Sequence, residues 1–246
     1  MTSSSSRRKP GSGKQRARAV LGPGSRRGDS TLKGRNVLIT AGPTREPLDP
    51  IRFLTNASSG KMGFALARAA RALGARVTVI AGPCPIPPLP GVRVVPVTTA
   101  LEMHRETLKR GLRSDVVVAA AAVGDWRFAK VAPRKIKRNG ASLKLELIPN
   151  PDIIGDLSRK VRWSRRRPLL AGFALETDRV LENARAKMGK KGLDLIVANG
   201  PESLGRERSS ASILCARGGM RRLSNMDKTN LARAILRCIE ENLPRA

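Results

Sequence analysis

The chain has 246 residues, with 48 Lys and Arg against 19 Asp and Glu, a formal charge of +29 and 40% hydrophobic content. That suffices for one sizeable core, and no apolar run reaches the roughly 18 residues that a membrane-spanning helix needs. Cys84, Cys215 and Cys238 are far apart and odd in number, which argues against a disulfide scaffold or a metal cluster, and the lone His104 leaves little room for Ser/His or Cys/His catalysis.

Residues 1–34 hold nine bases and one acid, Asp29, among many Ser and Gly. Such a stretch cannot bury enough apolar surface to offset the entropy of ordering it. A disordered basic tail over 1–34 and a single folded domain over 35–246 are therefore expected. Without the tail the chain still has 39 bases against 18 acids. That balance suits nucleotide phosphates and other anions, and also nonspecific adhesion to nucleic acid. With 2% aromatic residues and no Tyr, a base-stacking surface is not expected.

An apolar strand at 37–40 leads through about twenty residues rich in Gly, Pro, Ser and Arg to a helix at 62–73. A loop that long between a strand and its helix is unusual unless it has a function. Its Ser58-Ser59-Gly60-Lys61 segment opens the helix, where free backbone N–H groups and the helix dipole favour an anion. It is not a Walker A loop, because Thr55 and Met62 stand where Gly and Ser or Thr are required. Nor is it a dinucleotide fingerprint, because the strand at 77–81 ends without an acid. A Pro-rich turn at 83–90, a strand at 92–97 and a helix at 99–112 follow, with His104 at the edge of that helix's apolar face. The run 116–123 reads as a strand buried on both faces. This alternation predicts a Rossmann-like, mostly parallel sheet with flanking helices.

The segments 135–137 and 143–147 flank Arg138-Asn139-Gly140 and read as an inserted β-hairpin flap. Asn150-Pro151-Asp152 reads as an N-cap, a proline at the first helical position and an early acid, opening a helix to about 157. A strand at 169–173, a helix at 180–191 stopped by Gly192, a strand at 195–198, a last strand at 212–216 and an amphipathic helix at 228–242 complete the domain. In open α/β sheets ligands gather at the carboxyl ends of strands, here 42–61, 124–127, 172–177 and 199–200.

Those strand ends carry ordered motifs: the opening loop, Ala120-Ala-Ala-Val-Gly-Asp-Trp-Arg127, Val131-Ala-Pro-Arg-Lys-Ile-Lys137, Asn150-Pro-Asp-Ile-Ile154, Gly172-Phe-Ala-Leu-Glu-Thr177 and the run 187–199. In this order they resemble bacterial phosphopantothenoylcysteine synthetase, the phosphopantothenate-cysteine ligase of coenzyme A synthesis, over about residues 34–243. The resemblance implies a two-step ligation. The carboxylate of 4'-phosphopantothenate attacks the α-phosphate of CTP to give an acyl-cytidylate and pyrophosphate, and the amine of L-cysteine then displaces CMP. An ATP-dependent version of the ligase and a basic nucleotide- or RNA-binding protein on the same fold are the alternatives.

The resemblance further implies that Asn56 contacts the activated acyl group, with Arg52 as its basic neighbour, and that Lys135 covers the intermediate from a mobile flap. It puts Lys187 and Lys191 at the CTP phosphates, and Ala120, Ala121, Ala122, Asp125, Lys135, Pro151, Asp152, Ile153, Ile154 and Phe173 around the nucleotide. On residues alone, Asn56 is also a turn residue, Phe173 a core residue and the three lysines a solvated basic surface. Mg2+ is expected with the triphosphate and not in a carboxylate cage. No flavin is expected, decarboxylation is expected from another polypeptide, and a cytoplasmic homodimer is implied. Gly124, where Ala is usual, and the segment 205–209 depart from the family pattern.

Overall fold

The central strands are buried almost continuously, their side chains pointing alternately into two apolar layers, one on each face of a single sheet. The computed structural model describes residues 30–243 except 88, 139, 141 and 204. In chain order the elements are β1 (Asn36–Ala41), β2 (Arg45–Pro47), β3 (Phe53–Thr55), α1 (Lys61–Ala72), β4 (Arg76–Ala81), β5 (Arg93–Pro96), α2 (Ala100–Gly111), β6 (Val116–Ala119), β7 (Trp126–Phe128), β8 (Leu147–Pro149), α3 (Ile153–Val161), β9 (Leu169–Leu175), α4 (Val180–Lys191), β10 (Leu195–Asn199), β11 (Arg208–Cys215), β12 (Met220–Asp227) and α5 (Lys228–Asn242). The eight-stranded sheet runs β12-β11-β10-β9-β6-β1-β4-β5, parallel from β10 to β5, with β11 and β12 antiparallel at one edge.

Val37 and Ile39 of β1 enter the layer beneath α1 and α5 with Phe64, Leu66, Ile235 and Ile239, whereas Leu38 enters the opposite layer with Met103, Leu157 and Ala184 of α2, α3 and α4. The fold is thus the Rossmann-like α/β arrangement, helices on both faces. His104 Nε2 lies 2.8 Å from Asp156 Oδ2, joining α2 to α3 through a polar pair. The three cysteines are free. Among the described residues no helix is long and apolar enough to cross a membrane.

Several elements differ from the sequence reading. Leu32 is fully buried in the α1/α5 layer and Ser30 bonds Glu240, so the fold begins before residue 34; residues 1–29 of the expected tail lie outside the described residues. The long opening loop contains a short ribbon, β2 antiparallel to β3, with Arg45 stacked 4.5 Å over the Phe53 ring. β6 stops at Ala119, four residues before the end of the expected strand, although an isolated parallel bridge between Ala122 and Pro43 continues its pairing with the chain after β1. The inserted ribbon pairs β7 with β8, not 135–137 with 143–147, and its expected turn residue Asn139 lies outside the described residues. α3 is capped by Asp152, which accepts from the Gly155 amide, while the expected cap Asn150 instead donates to the Gly124 carbonyl at 2.8 Å. β12 pairs beyond what was expected to be the last strand.

Candidate active site

From β1 the chain moves outward to β4 and β5, then returns to the other side of β1 to lay down β6, β9 and β10. The loops leaving β1 and β6 stay paired as far as Pro43 and Ala122, and a crevice opens at this carboxyl end of the sheet, where the strand order reverses. A cavity of about 700 Å³ occupies that crevice.

One wall is the amino end of α1. Gly60 caps it in a left-handed conformation (φ 74°) without a side-chain cap, and the first turn holds no acid, so its N–H groups face the cavity mouth. Close packing fixes this end. A Cβ on Gly63 would come within 2.5 Å of the Ala41 Cβ, and one on Gly82 within 1.7 Å of the Pro43 carbonyl oxygen. Lys61 pairs with Glu207, and this lysine holds the Glu207 carboxyl below its usual range. Lys228, at the start of α5, donates to Ser209 Oγ at 3.2 Å, and burial pushes its pKa down.

The second wall is residues 120–125 and the start of α3. Thr40 Oγ1 accepts from the Ala121 amide at 3.2 Å, and Thr44 Oγ1 from the Gly124 amide at 2.9 Å. Asn56 donates its Nδ2 to the carbonyls of Val123 (3.0 Å) and Ala122 (3.3 Å). A Cβ on Gly124 would meet its neighbours no closer than 3.5 Å, so the departure from Ala there has no steric cause.

The third wall is α4. Lys191 Nζ sits 2.8 Å from Asp152 Oδ1. Lys187 makes no ion pair among the described residues; burial and then the charge of Lys191 lower its pKa, against the pull of Glu176, Asp125 and Asp152. In all, six basic side chains (Lys61, Lys187, Lys190, Lys191, Arg206 and Lys228) line the cavity against two carboxylates, Asp125 and Asp152. Such a lining suits a ligand with several negative charges.

Of the residues singled out from sequence, the cavity collects Asn56, Ala120, Ala121, Ala122, Asp125, Pro151, Asp152, Ile153, Ile154, Phe173, Lys187 and Lys191. Arg52 and Lys135 are not in its lining. Arg52 pairs with Asp49 and also donates to the Ile136 carbonyl at 2.8 Å, while Lys135 is exposed. Lys190 and Lys228 were missed; Lys190 lies in the last turn of α4 and Lys228 opens α5 directly after β12, and only the fold brings them to one cavity. Among the described residues no cluster of three His, Cys, Asp or Glu side chains could hold a metal.

The sequence matches the family described as DNA/pantothenate metabolism flavoprotein C-terminal domain over residues 32–243. It is 42% identical over 217 residues to the coenzyme A biosynthesis bifunctional protein CoaBC of Vibrio cholerae, covering 86% of this chain and 54% of that protein. Against the same protein of Escherichia coli K12 it is 47% identical over 171 residues, 68% of this chain and 41% of that one. The chain thus spans about half the length of the curated relatives it matches. The crystal structure of the C-terminal domain of CoaBC superposes with a TM-score of 0.73 at 36% identity, covering 85% of this chain and 96% of that domain. With the matched span running from the buried Leu32 to Leu243, the chain belongs to the DNA/pantothenate metabolism flavoprotein C-terminal domain family.

Proposed function

We propose that this domain is a CTP-dependent ligase that joins 4'-phosphopantothenate to L-cysteine through an acyl-cytidylate. The excess of cationic side chains around a cavity that also contains Asn56 and Phe173 carries the reading, and the coenzyme A role named for its relatives supports it. A carboxylate is a poor acyl donor; making it a mixed anhydride with CMP supplies a leaving group. Such chemistry needs positioning and positive charge around phosphorus more than an acid–base pair.

In this reading Lys187 and Lys191 bind the triphosphate from α4, and the open amino end of α1 supplies N–H groups from the facing wall. Phe173 packs against the nucleoside; Asp125 and the backbone at 151–154 recognise its polar edges. The phosphopantothenate carboxylate attacks the α-phosphorus, and the bond to the bridging oxygen breaks to release pyrophosphate. Asn56 can exchange its long contact with Ala122 for an acyl or phosphoryl oxygen while keeping the shorter one to Val123. Lys135 reaches in from the inserted segment to balance charge on the acyl-cytidylate, and Arg52 stands behind it. The cysteine amine then attacks the acyl carbon, CMP leaves and the amine proton passes to solvent.

Among the described residues no three His, Cys, Asp or Glu side chains cluster, and Mg2+ is assigned to the triphosphate as its salt. We also assign a cytoplasmic homodimer, motivated by the exposed Ile51, Phe53, Leu54, Trp126 and Leu147 on and beside the two small ribbons; sedimentation as a monomer at micromolar concentration contradicts that assembly. Pyrophosphate release measured with CTP and ATP in parallel tests the ligase. The expected result is release with CTP that requires phosphopantothenate, with amide product only when cysteine is added. No product with any nucleoside triphosphate overturns the reading, and faster turnover with ATP overturns the nucleotide assignment.

A further inference from the structure

We infer that Asp49 is a positioning residue for the inserted segment that carries Lys135, its carboxylate fastening the backbone of Ile136 to the turn between β2 and β3. The inference rests on the proposed role of Lys135 for its bearing on turnover, but not for its structural part.

Asp49 is 2% exposed, although Pro50, Ile51 and Arg52 immediately after it are exposed. One oxygen, Oδ1, accepts from the amides of Ile51 (2.9 Å) and Arg52 (2.8 Å), closing the local turn. A turn needs only that oxygen. The other, Oδ2, accepts from Arg52 Nε at 3.0 Å and from the Ile136 amide at 3.2 Å, 87 residues away in sequence. Arg52 Nη2 completes the clasp by donating to the Ile136 carbonyl at 2.8 Å. Both polar groups of one residue in the inserted segment are thus held by a single ion pair. A second strap lies four residues earlier, where the Ala132 amide donates to the Leu48 carbonyl at 2.9 Å.

The clasp holds the peptide immediately after Lys135, so it sets the point from which that side chain reaches toward the cavity. A buried carboxylate that accepts five N–H groups, Arg52 Nη2 among them, is a rigid anchor, because each bond to the charged form opposes its release. Arg52 beside it holds the carboxyl well below the usual carboxylate range, so the anchor keeps its charge across the neutral range.

Asp49→Asn separates the two jobs. Its amide oxygen can still serve the Ile51 and Arg52 amides, but its NH2 group then faces the donors of Arg52 and Ile136. We expect trypsin to cut the variant within residues 134–138 about tenfold faster than wild type, with the rest of the chain equally resistant. We expect kcat to fall about tenfold or more, with the apparent KM for CTP changed less than about twofold, since a step after nucleotide binding is disturbed. Amide exchange on the wild-type protein needs no variant: Ile136 is expected to exchange more slowly than Lys135 and Lys137. Ile136 exchanging as fast as those neighbours, or unchanged cleavage in a folded Asp49→Asn, overturns the anchor. Faster cleavage with unchanged kcat overturns its role in turnover. If wild type makes no product at all, the ligase reading fails while the cleavage and exchange results still decide the anchor.

Discussion

Lys191 spends its charge on Asp152, 2.8 Å away, whereas Lys187, one turn earlier on α4, lines the cavity with no ion-pair partner among the described residues. The two lysines therefore differ in what they can give a nucleotide. Lys187→Gln is expected to raise the apparent KM for CTP about tenfold, the scale of one charge-assisted phosphate contact. Lys191→Gln should weaken CTP less, because Asp152 already offsets its charge. Asp152→Ala should cost about 0.5–2 kcal/mol through loss of the α3 cap, read as a lower urea midpoint. Equal CTP defects in both lysine variants would contradict this difference.

Lys187 also gives the protein a stability signature. Burial lowers its folded pKa below the ordinary 10.5, so between the folded value and 10.5 the unfolded chain binds more protons. Stability contributed by this group therefore rises with pH across that window. Urea titrations of ligand-free wild type and Lys187→Gln are expected to converge as the pH approaches 10.5, with the variant the more stable at pH 7. A difference independent of pH contradicts the desolvated lysine.

Two glycines, Gly124 in the cavity wall and Gly82 behind the opening loop, should respond in opposite ways to alanine. Gly124→Ala meets only ordinary contacts and should leave turnover within about twofold of wild type. Gly82→Ala places a Cβ against the Pro43 carbonyl oxygen, where backbone must move, and should displace the opening loop and abolish CTP binding. Thermal shift with CTP reads both.

At the start of the fold, Leu32→Ala should cost about 2–5 kcal/mol, the range for emptying a packed leucine site. A chain starting at residue 30 is then expected to melt well above one starting at residue 35. Equal melting points would show that Leu32 adds nothing to the core.

Long apolar runs made the sheet legible: β1, β4, β9 and β10 lie where their Val, Ile, Leu and Ala clusters predict, and α4 ends at Gly192, which adopts φ 60°. β12 was hidden because Met220–Asp227 is an exposed edge strand with a polar sequence, Arg221 and Arg222 included, and so lacks the alternation that marks a buried face. β2 and β3 are three residues each inside a Pro-rich stretch, too short to show a period. Asn150 and Asp152 are both good caps in sequence; the choice between them is made by Gly124, whose carbonyl takes the Asn150 amide.

The position of the cavity was legible for the same reason as the sheet, since strand ends predict where ligands gather, while the individual site residues came from the family resemblance. What sequence did not show were partnerships across long separations. Arg52 with Ile136, Lys61 with Glu207, and His104 with Asp156 join segments distant in sequence, and no local pattern encodes them. The Asp49-Pro50 pair did carry a local sign, an Asp able to bond amides two and three residues ahead.

Lys135 and Lys187 should fail at different steps. With Lys187→Gln the first half-reaction is slow at subsaturating CTP; with Lys135→Gln, CTP binding is retained and transfer to cysteine is impaired, so the mixed anhydride accumulates. Identical, purely CTP-affinity defects in rapid-quench traces would contradict that division.

The most direct test of the account is a single-turnover quench of wild-type protein with CTP, Mg2+ and 4'-phosphopantothenate in the absence of cysteine. The account predicts one pyrophosphate released per active site together with an acid-stable phosphopantothenoyl-cytidylate, which collapses to amide and CMP when cysteine is added. Pyrophosphate release without a trapped cytidylate, or no release until cysteine is present, would contradict it.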